Sequence, residues 1–389
     1  MPDNNATPLS VLVMSHDARD FGGVGNYLAT MKRRLRPTTM AHRFVSGRRY
    51  GEKTKLATIM RIISDYVRFF FLMMRRRFDV VHFNPEMDLR AFPRESLFMF
   101  LLILMRRPFV VFHHGWNWDE FKIITKSFFL KRWLFFILNR AGGIIVCSKS
   151  FRDGLIENGV HADRIEIITT MFDGQRLKRR DLDTLPDPTK APKLLFMARF
   201  VREKGVYELI ESVKLLKDEF PELTLLMGGD GREMEQMKAW AEKQGVADQV
   251  LFPGYIRGHD KTRAFAEASI FILPSFFWEG LPNAAIEAMG SGLPIISTKV
   301  AGLPEVMDDP DNGFFLDEVT PEDIAEKVRT MLRDPGYLAA TSKRNQEKAW
   351  GNYESAIVSK QIEAVYRMAI DRSRPSSSSV RKTELSEAR

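Results

Sequence analysis

Ile270-Phe271-Ile272-Leu273-Pro274-Ser275-Phe276-Phe277-Trp278-Glu279-Gly280-Leu281-Pro282-Asn283-Ala284-Ala285-Ile286-Glu287 is the stretch on which the reading of this 389-residue chain turns. Its four leading apolar residues predict a buried strand, and the segment from about Pro282 predicts a short helix that Gly290 and Gly292 stop. Glu279 falls in the loop before that helix and Glu287 inside it, with seven residues between them. Gly280 lets a ligand approach the backbone, and Pro282 suits a first helical turn. The N–H groups of that turn, with the helix dipole, make an anion site. A phosphate on the amides and neutral hydroxyls on the two carboxylates describe a sugar nucleotide. For either glutamate alone, a solvated helix carboxylate is the plainer reading. The strand before them, with Gly and Pro between them, favours a site.

Working outward, the chain is long enough for two domains, each with its own core. Hydrophobic residues make up 44% and charged residues 28%, so most of it is expected to be globular. One cysteine, Cys147, excludes an internal disulfide framework and fits a reducing compartment. The seven histidines are scattered, with His113-His114 the only adjacent pair, and no metal cluster is visible in the sequence. Residues 9–14 read as a first strand and not as a signal peptide. The longest apolar run, 97–105, is too short to span a bilayer. A soluble or membrane-surface protein is the expectation.

The net charge of +8 conceals a split. Residues 1–190 hold 32 Lys and Arg against 19 Asp and Glu, a net of +13, whereas the remainder carries −5. Clusters such as Arg75-Arg76-Arg77 and Arg106-Arg107 abut apolar runs, as in 69–74 and 128–136. Basic residues beside Phe, Trp and Leu suit a helix lying on an anionic membrane. Buried helix faces edged by solvated arginines are the alternative.

Along the chain, strands and helices alternate, which predicts parallel, doubly wound sheets. Gly22-Gly23-Val24-Gly25 follows the first strand, leads into a helix from about Asn26, and lacks the spacing of a dinucleotide fingerprint. His82, Asn84, His113 and His114 sit at strand ends, where open α/β sheets bind ligands. His114 is the strongest of these because Gly115 follows it. Residues 178–192 have the composition of a linker. Beyond it, a strand leads to Arg199-Phe200-Val201-Arg202-Glu203-Lys204-Gly205, a loop that can offer two cations, Arg199 and Lys204, to a pyrophosphate. Gly228-Gly229-Asp230-Gly231 lacks the third glycine of a dinucleotide turn. Helical patterns are expected at about 321–333 and 349–372, and the tail beyond is expected to be disordered.

Together and in this order, the Gly22–Gly25 loop, His114-Gly115, Arg199…Lys204-Gly205, Gly228–Gly231 and Glu279…Glu287 resemble the retaining, nucleotide-sugar-dependent glycosyltransferases of the GT-B fold, glycosyltransferase family 4 (group 1). The resemblance covers the chain to about Arg372. It implies two Rossmann-like α/β domains with a cleft between them: 1–190 for the acceptor, 191–350 for the donor, 351–372 as a helix returning to the first domain, and 373–389 as the tail. It implies that Arg199 and Lys204 hold the pyrophosphate, Glu287 the ribose, and Glu279 the transferred sugar. His114 contacts that sugar, Gly22, Gly23 and Gly25 close over the phosphates, and Gly229, Gly280, Leu281, Pro282 and Asn283 line the donor site. The Arg/Lys pair stands in for a metal, and no cofactor is implied beyond the nucleotide-sugar substrate. One departure is Thr169-Thr170-Met171-Phe172-Asp173, where the family often has a Pro-Asn-Gly-type turn.

No second carboxylate is placed as a nucleophile, so front-face transfer with retention is the expected mechanism. The basic first half points to a lipid-linked or oligosaccharide acceptor in cell-surface polysaccharide synthesis. It also points to a location in the cytoplasm, peripheral on the anionic inner face of the plasma membrane. A nucleic-acid-binding protein would explain the charge but leave both glutamates idle. An NAD-dependent oxidoreductase lacks its fingerprint. Nucleic acid is therefore not an expected partner.

Overall fold

The computed structural model describes residues 8–15, 23–35, 39–46, 55–89, 91–182, 190–276, 280–300 and 302–374. Glu279 and Gly22, both singled out above, lie outside these, as does the tail from 375. The chain forms two compact units: residues 1–168 with 359–389, and residues 169–358.

In the first unit six parallel strands, β1 (Leu9–Ser15), β2 (Thr39–Val45), β3 (Val80–Phe83), β4 (Phe109–His113), β5 (Gly143–Val146) and β6 (Ile165–Ile167), lie in the order β2-β1-β3-β4-β5-β6. Between them run α1 (Gly23–Leu35), α2 (Lys55–Arg75), α3 (Ala91–Leu104), α4 (Trp118–Lys126), α5 (Phe128–Leu138) and α6 (Lys149–Glu157). Strands β3, β4 and β5 are buried along their whole length. That is why they read as continuous apolar runs and not as alternating ones. Helix α1 starts at Gly23, three residues earlier than its sequence pattern suggests, so Gly23 and Gly25 belong to its first turn.

The second unit repeats the plan with β7 (Lys193–Met197), β8 (Thr224–Gly228), β9 (Val250–Gly254), β10 (Ile270–Leu273), β11 (Ile295–Ser297) and β12 (Gly313–Phe315), in the order β12-β11-β10-β7-β8-β9. Its helices are α7 (Val206–Leu216), α8 (Met234–Gln244), α9 (Gly258–Glu267), α10 (Asn283–Gly290), α11 (Leu303–Val306), α12 (Pro321–Leu332) and α13 (Pro335–Asn352). The last was not legible in the apolar pattern. It is started by Asp334, whose side chain accepts from Tyr337 N, with Pro335 in the first turn.

The first unit closes at Ile168 and not at 190. Residues 169–182 stay with the second unit because their polar groups find partners there. Phe172 N donates to Tyr353 O at 3.2 Å, and Ser355 N donates back to Phe172 O at 3.0 Å. Arg180 donates to Ser291 O and Ala268 O. This also settles the unusual 169–173 turn: Phe172 packs on Gly290, while Asp173 accepts from Gln175 N at 3.2 Å. The second unit runs to Val358, beyond the expected 350.

Helix α14 (Ser355–Ser373) belongs to the first unit from Ser359 onward. Its small-residue contacts explain two glycines. A Cβ on Gly142 would collide with Ala369, and one on Gly143 would meet Val365 at 2.5 Å. Arg372 closes the contact by donating to Gly142 O and Asp163 O.

Candidate functional site

In each sheet the strand order reverses at one place, and loops at such a place open a crevice at the carboxyl ends of the strands. In the second unit the reversal falls between β7 and β10. The loop after β7 carries Arg199 and Lys204, and the loop after β10 leads to Gly280 and α10. The two loops are tied together, since Phe276 N donates to Glu203 O at 3.0 Å. The structure thus brings the stretch quoted first against the two-cation loop.

Lys204 ends a 3-10 turn, Arg202–Lys204, and is buried. Gly205 follows with φ +67°, a conformation that favours glycine, and an added Cβ there would collide with Pro274 O. Burial, and then the Arg199 charge, lower the Lys204 ammonium to about 7, with Glu203 partly opposing them. Arg199 itself is exposed. A buried lysine beside an arginine at a sheet's carboxyl edge is a candidate anion-binding group.

Gly229 serves this loop by its size. Its N–H already donates to Gly254 O at 2.9 Å, and a Cβ would collide with Ala198 O. Gly231 is pressed in the same way against the backbone of Phe200. The Gly228–Gly231 turn is therefore the backing on which the Arg199 turn rests.

Helix α10 begins at Asn283, with Pro282 as its N-cap, one residue before the expected position. Gly280 O accepts from Gly302 N at 3.0 Å, and Leu281 is buried beneath. Ala285 N and Ile286 N both turn back onto Pro282 O, so the opening of the helix is tight. Glu287 lies one turn in. Its Oε1 accepts from Lys261 Nζ at 2.6 Å, while Oε2 is buried with no hydrogen bond among the described residues. Lys261, on α9, was missed by sequence reasoning. It lies 26 residues from Glu287, and no local pattern connects the two.

In the first unit the reversal falls between β1 and β3. Asn84 bridges the two, with Nδ2 donating to Met14 O at 3.1 Å. Its Oδ1 is therefore the acceptor for both His114 Nε2 at 2.9 Å and His82 Nε2 at 3.1 Å. With its proton on Nε2, His82 accepts through Nδ1 from the Tyr366 hydroxyl at 2.6 Å. This network assigns His114 its tautomer: Nε2 carries the proton and Nδ1 is the acceptor. Burial lowers His82 to about 4. Burial, then His82 and His113, lower His114 to about 3, so both are neutral at pH 7. His114 stacks on Phe112 at 4.0 Å, and Gly115 turns the chain away with φ +152°. Tyr366, from the far end of the chain, had no signal in the sequence.

Two family models match this chain: glycosyltransferase family 4 over residues 21–176 and glycosyl transferases group 1 over residues 178–349. The chain belongs to the GT-B glycosyltransferases of family 4, group 1. A putative colanic acid biosynthesis glycosyltransferase of Escherichia coli is 27% identical over 46% of this chain and 46% of its own length. A lipopolysaccharide core biosynthesis glycosyltransferase of Rhizobium meliloti is 30% identical over 49% and 54%. The chain spans about half the length of these curated relatives. Among solved structures, Anabaena HepE in complex with UDP and glucose superposes with a TM-score of 0.70 at 18% identity, over 92% of this chain and 98% of that one. Sucrose-phosphate synthase of Thermosynechococcus elongatus gives 0.73 at 17%, over 94% and 100%. At such identities these likenesses establish the two-domain α/β fold of this glycosyltransferase. Relatives named for colanic acid, lipopolysaccharide core and amylovoran biosynthesis are among those it resembles.

Proposed function

We propose that this glycosyltransferase moves a hexose, with retention and without a metal, from a UDP- or GDP-sugar to a lipid-linked or oligosaccharide acceptor of a cell-surface polysaccharide. The observation that carries this reading is the buried Lys204 beside Arg199, tied through Glu203 O to the loop that opens α10. Their charge suits a pyrophosphate. The unpartnered Oε2 of Glu287 suits a ribose hydroxyl, as does a carboxylate already oriented by Lys261. Support for the donor class comes from HepE, whose structures hold UDP-glucose. Support for the acceptor class comes from the colanic acid and lipopolysaccharide core relatives.

In the proposed step the acceptor oxygen attacks the anomeric carbon on the face the nucleotide leaves. The bond from that carbon to the β-phosphate oxygen breaks, and the acceptor proton passes to the departing phosphate. Lys204 and Arg199 stabilise the charge that develops there. Glu279, with the amides around Gly280–Asn283, is assigned to the transferred sugar, and His114 to accepting one of its hydroxyls through Nδ1. The site of action is the inner face of the plasma membrane.

Calorimetric titration with UDP, GDP and NAD, followed by a panel of nucleotide sugars scored for hydrolysis, tests the reading. Binding of a nucleoside diphosphate that Lys204→Ala weakens is expected. Binding of NAD alone, or turnover unchanged in Lys204→Ala, would sink it.

A further inference from the structure

Helix α2 is built with its polarity reversed. Its inner stripe holds Arg61 and Asp65 with Phe69 and Met73, all buried, whereas Ile59, Met60, Ile63, Phe70, Phe71 and Met74 stand 41% to 65% exposed. An amphipathic helix on a water-facing surface shows the opposite arrangement. The exposed positions recur every three to four residues, with Leu56 and Val67 filling the same line. They form a single ridge along a helix about 30 Å long at 1.5 Å per residue.

The inner face holds the helix in this orientation. Arg61 Nη1 lies 3.2 Å from Asp65 Oδ2, and Arg68 Nη1 lies 3.1 Å from Asp65 Oδ1. The Tyr66 hydroxyl donates to Arg94 O at 2.7 Å, and Phe69 meets Phe98 edge-on. Both ion pairs lie within α2 and would turn with it, so the orientation rests on the Tyr66 bond to Arg94 O and on Phe69 packed against Phe98 and Phe44, contacts that rolling α2 to hide the ridge would break.

The surroundings are apolar and basic as well. From β2 through β3 and β4 to β5 the strands step in one direction, so right-handed crossovers place α2, α3, α4 and α5 on one face of the sheet. Leu104, Ile123, Phe128 and Phe129 on that face are 52% to 81% exposed. Arg75, Arg76 and Arg77 follow the ridge, and Arg106, Lys122 and Lys126 are also exposed. The exposed acid on α4, Asp119, is paired with Lys122 at 3.7 Å. The first unit holds 34 Lys and Arg against 19 Asp and Glu, a net of +15, and the second carries −7. Among the described residues no helix is long and apolar enough to cross a membrane.

We propose that this face seats the protein on an anionic lipid bilayer. Helix α2 lies in the interfacial plane, its Ile63, Phe70 and Phe71 side chains reach the acyl region, and the Arg75–Arg77 run lies at phosphate level. An apolar ridge edged by cations matches that partner in both respects, whereas a second copy would set +15 against +15. The proposal gives a location to the lipid-linked acceptor suggested above and rests on that reading for its purpose only.

The test is flotation of the full chain with phosphatidylcholine vesicles, with and without phosphatidylglycerol, at low and high salt. Binding to the phosphatidylglycerol vesicles at low salt, weakening as salt rises, is expected. The triple variant Ile63→Ser, Phe70→Ser, Phe71→Ser should partition about tenfold more weakly or worse. Arg75→Glu, Arg76→Glu, Arg77→Glu, which replaces no apolar residue, should lose the preference for phosphatidylglycerol. Both variants should bind UDP like the parent, which separates this result from failure of the donor reading. No flotation of the parent at low salt would overturn the proposal. So would a triple variant that floats like the parent, or a parent dimer that the triple variant dissolves in the absence of any vesicle binding.

Discussion

Lys204 is where a single side chain reports most about this protein. A lysine held at about 7 is largely neutral at pH 8 in the free protein, and a pyrophosphate beside it restores the charge. The affinity for UDP should therefore fall as pH rises from about 7 toward the ordinary lysine range, by up to about tenfold per unit, with proton uptake on binding. Titrations in buffers of different ionisation enthalpy read this directly, and a flat profile between pH 6.5 and 8.5 would contradict it. The two glutamates should behave unequally. Glu287→Ala removes the partner of Lys261 and the proposed ribose acceptor, and should raise KM for the donor more than it lowers kcat. Glu279→Ala should act mainly on kcat. Steady-state kinetics with one donor separate these outcomes. In the first unit, Tyr366→Phe leaves His82 Nδ1 without its donor at a fully buried site, which costs about 1–3 kcal/mol. A lower thermal midpoint with unchanged UDP affinity is the expected result.

At the scale of elements, the donor-site loops are held by contacts too close for a side chain. Gly229 against Ala198 O and Gly205 against Pro274 O lock the Arg199–Lys204 loop between its neighbours. Gly229→Ala should displace the Arg199 turn and weaken UDP about tenfold or more, about 1.4 kcal/mol, along with the thermal midpoint. Gly254→Ala is the matched control. Its φ of +76° carries conformational strain, but nothing lies within 4 Å of an added Cβ, so a loss of about 1 kcal/mol of stability with little change in binding is expected. Equal effects from both would mean that the close packing of Gly229 has no bearing on the site.

At the scale of the molecule, the last helix belongs with the first strands. Gly142 and Gly143 lie bare against Ala369 and Val365, and Arg372 satisfies two carbonyls at their ends. A chain stopped after 354 would expose the buried Val365, Tyr366 and Ala369 contacts of the first unit. Its first unit is expected to be cleaved rapidly in limited proteolysis while the second remains protected. A protected first unit would show that α14 is dispensable. The uneven charge, +15 against −7, also belongs to this scale, because it appears in full only when residues 359–389 are counted with the first unit.

Much of this was legible in the chain itself. Continuous apolar runs of four or five residues alternating with 3.6-period segments dictate parallel strands covered on both faces, since only burial on both sides tolerates them. Pro282, Gly205 and Arg199…Lys204 likewise announced turns and charge by residue type alone, because backbone constraint and ionisation are local properties. What depended on partners distant in sequence was not legible. Lys261 meets Glu287 across 26 residues, and Tyr366 reaches His82 across 284, so no window of sequence contains either pair. The unit boundary at Ile168 was hidden for the same reason, as it depends on what Phe172 and Arg180 bond to and not on composition. The sharpest case is α2. Its periodicity states that it has an apolar face, but only packing decides which face turns inward, and here Tyr66 and Phe69, held on Arg94 O and Phe98, leave the apolar ridge outside.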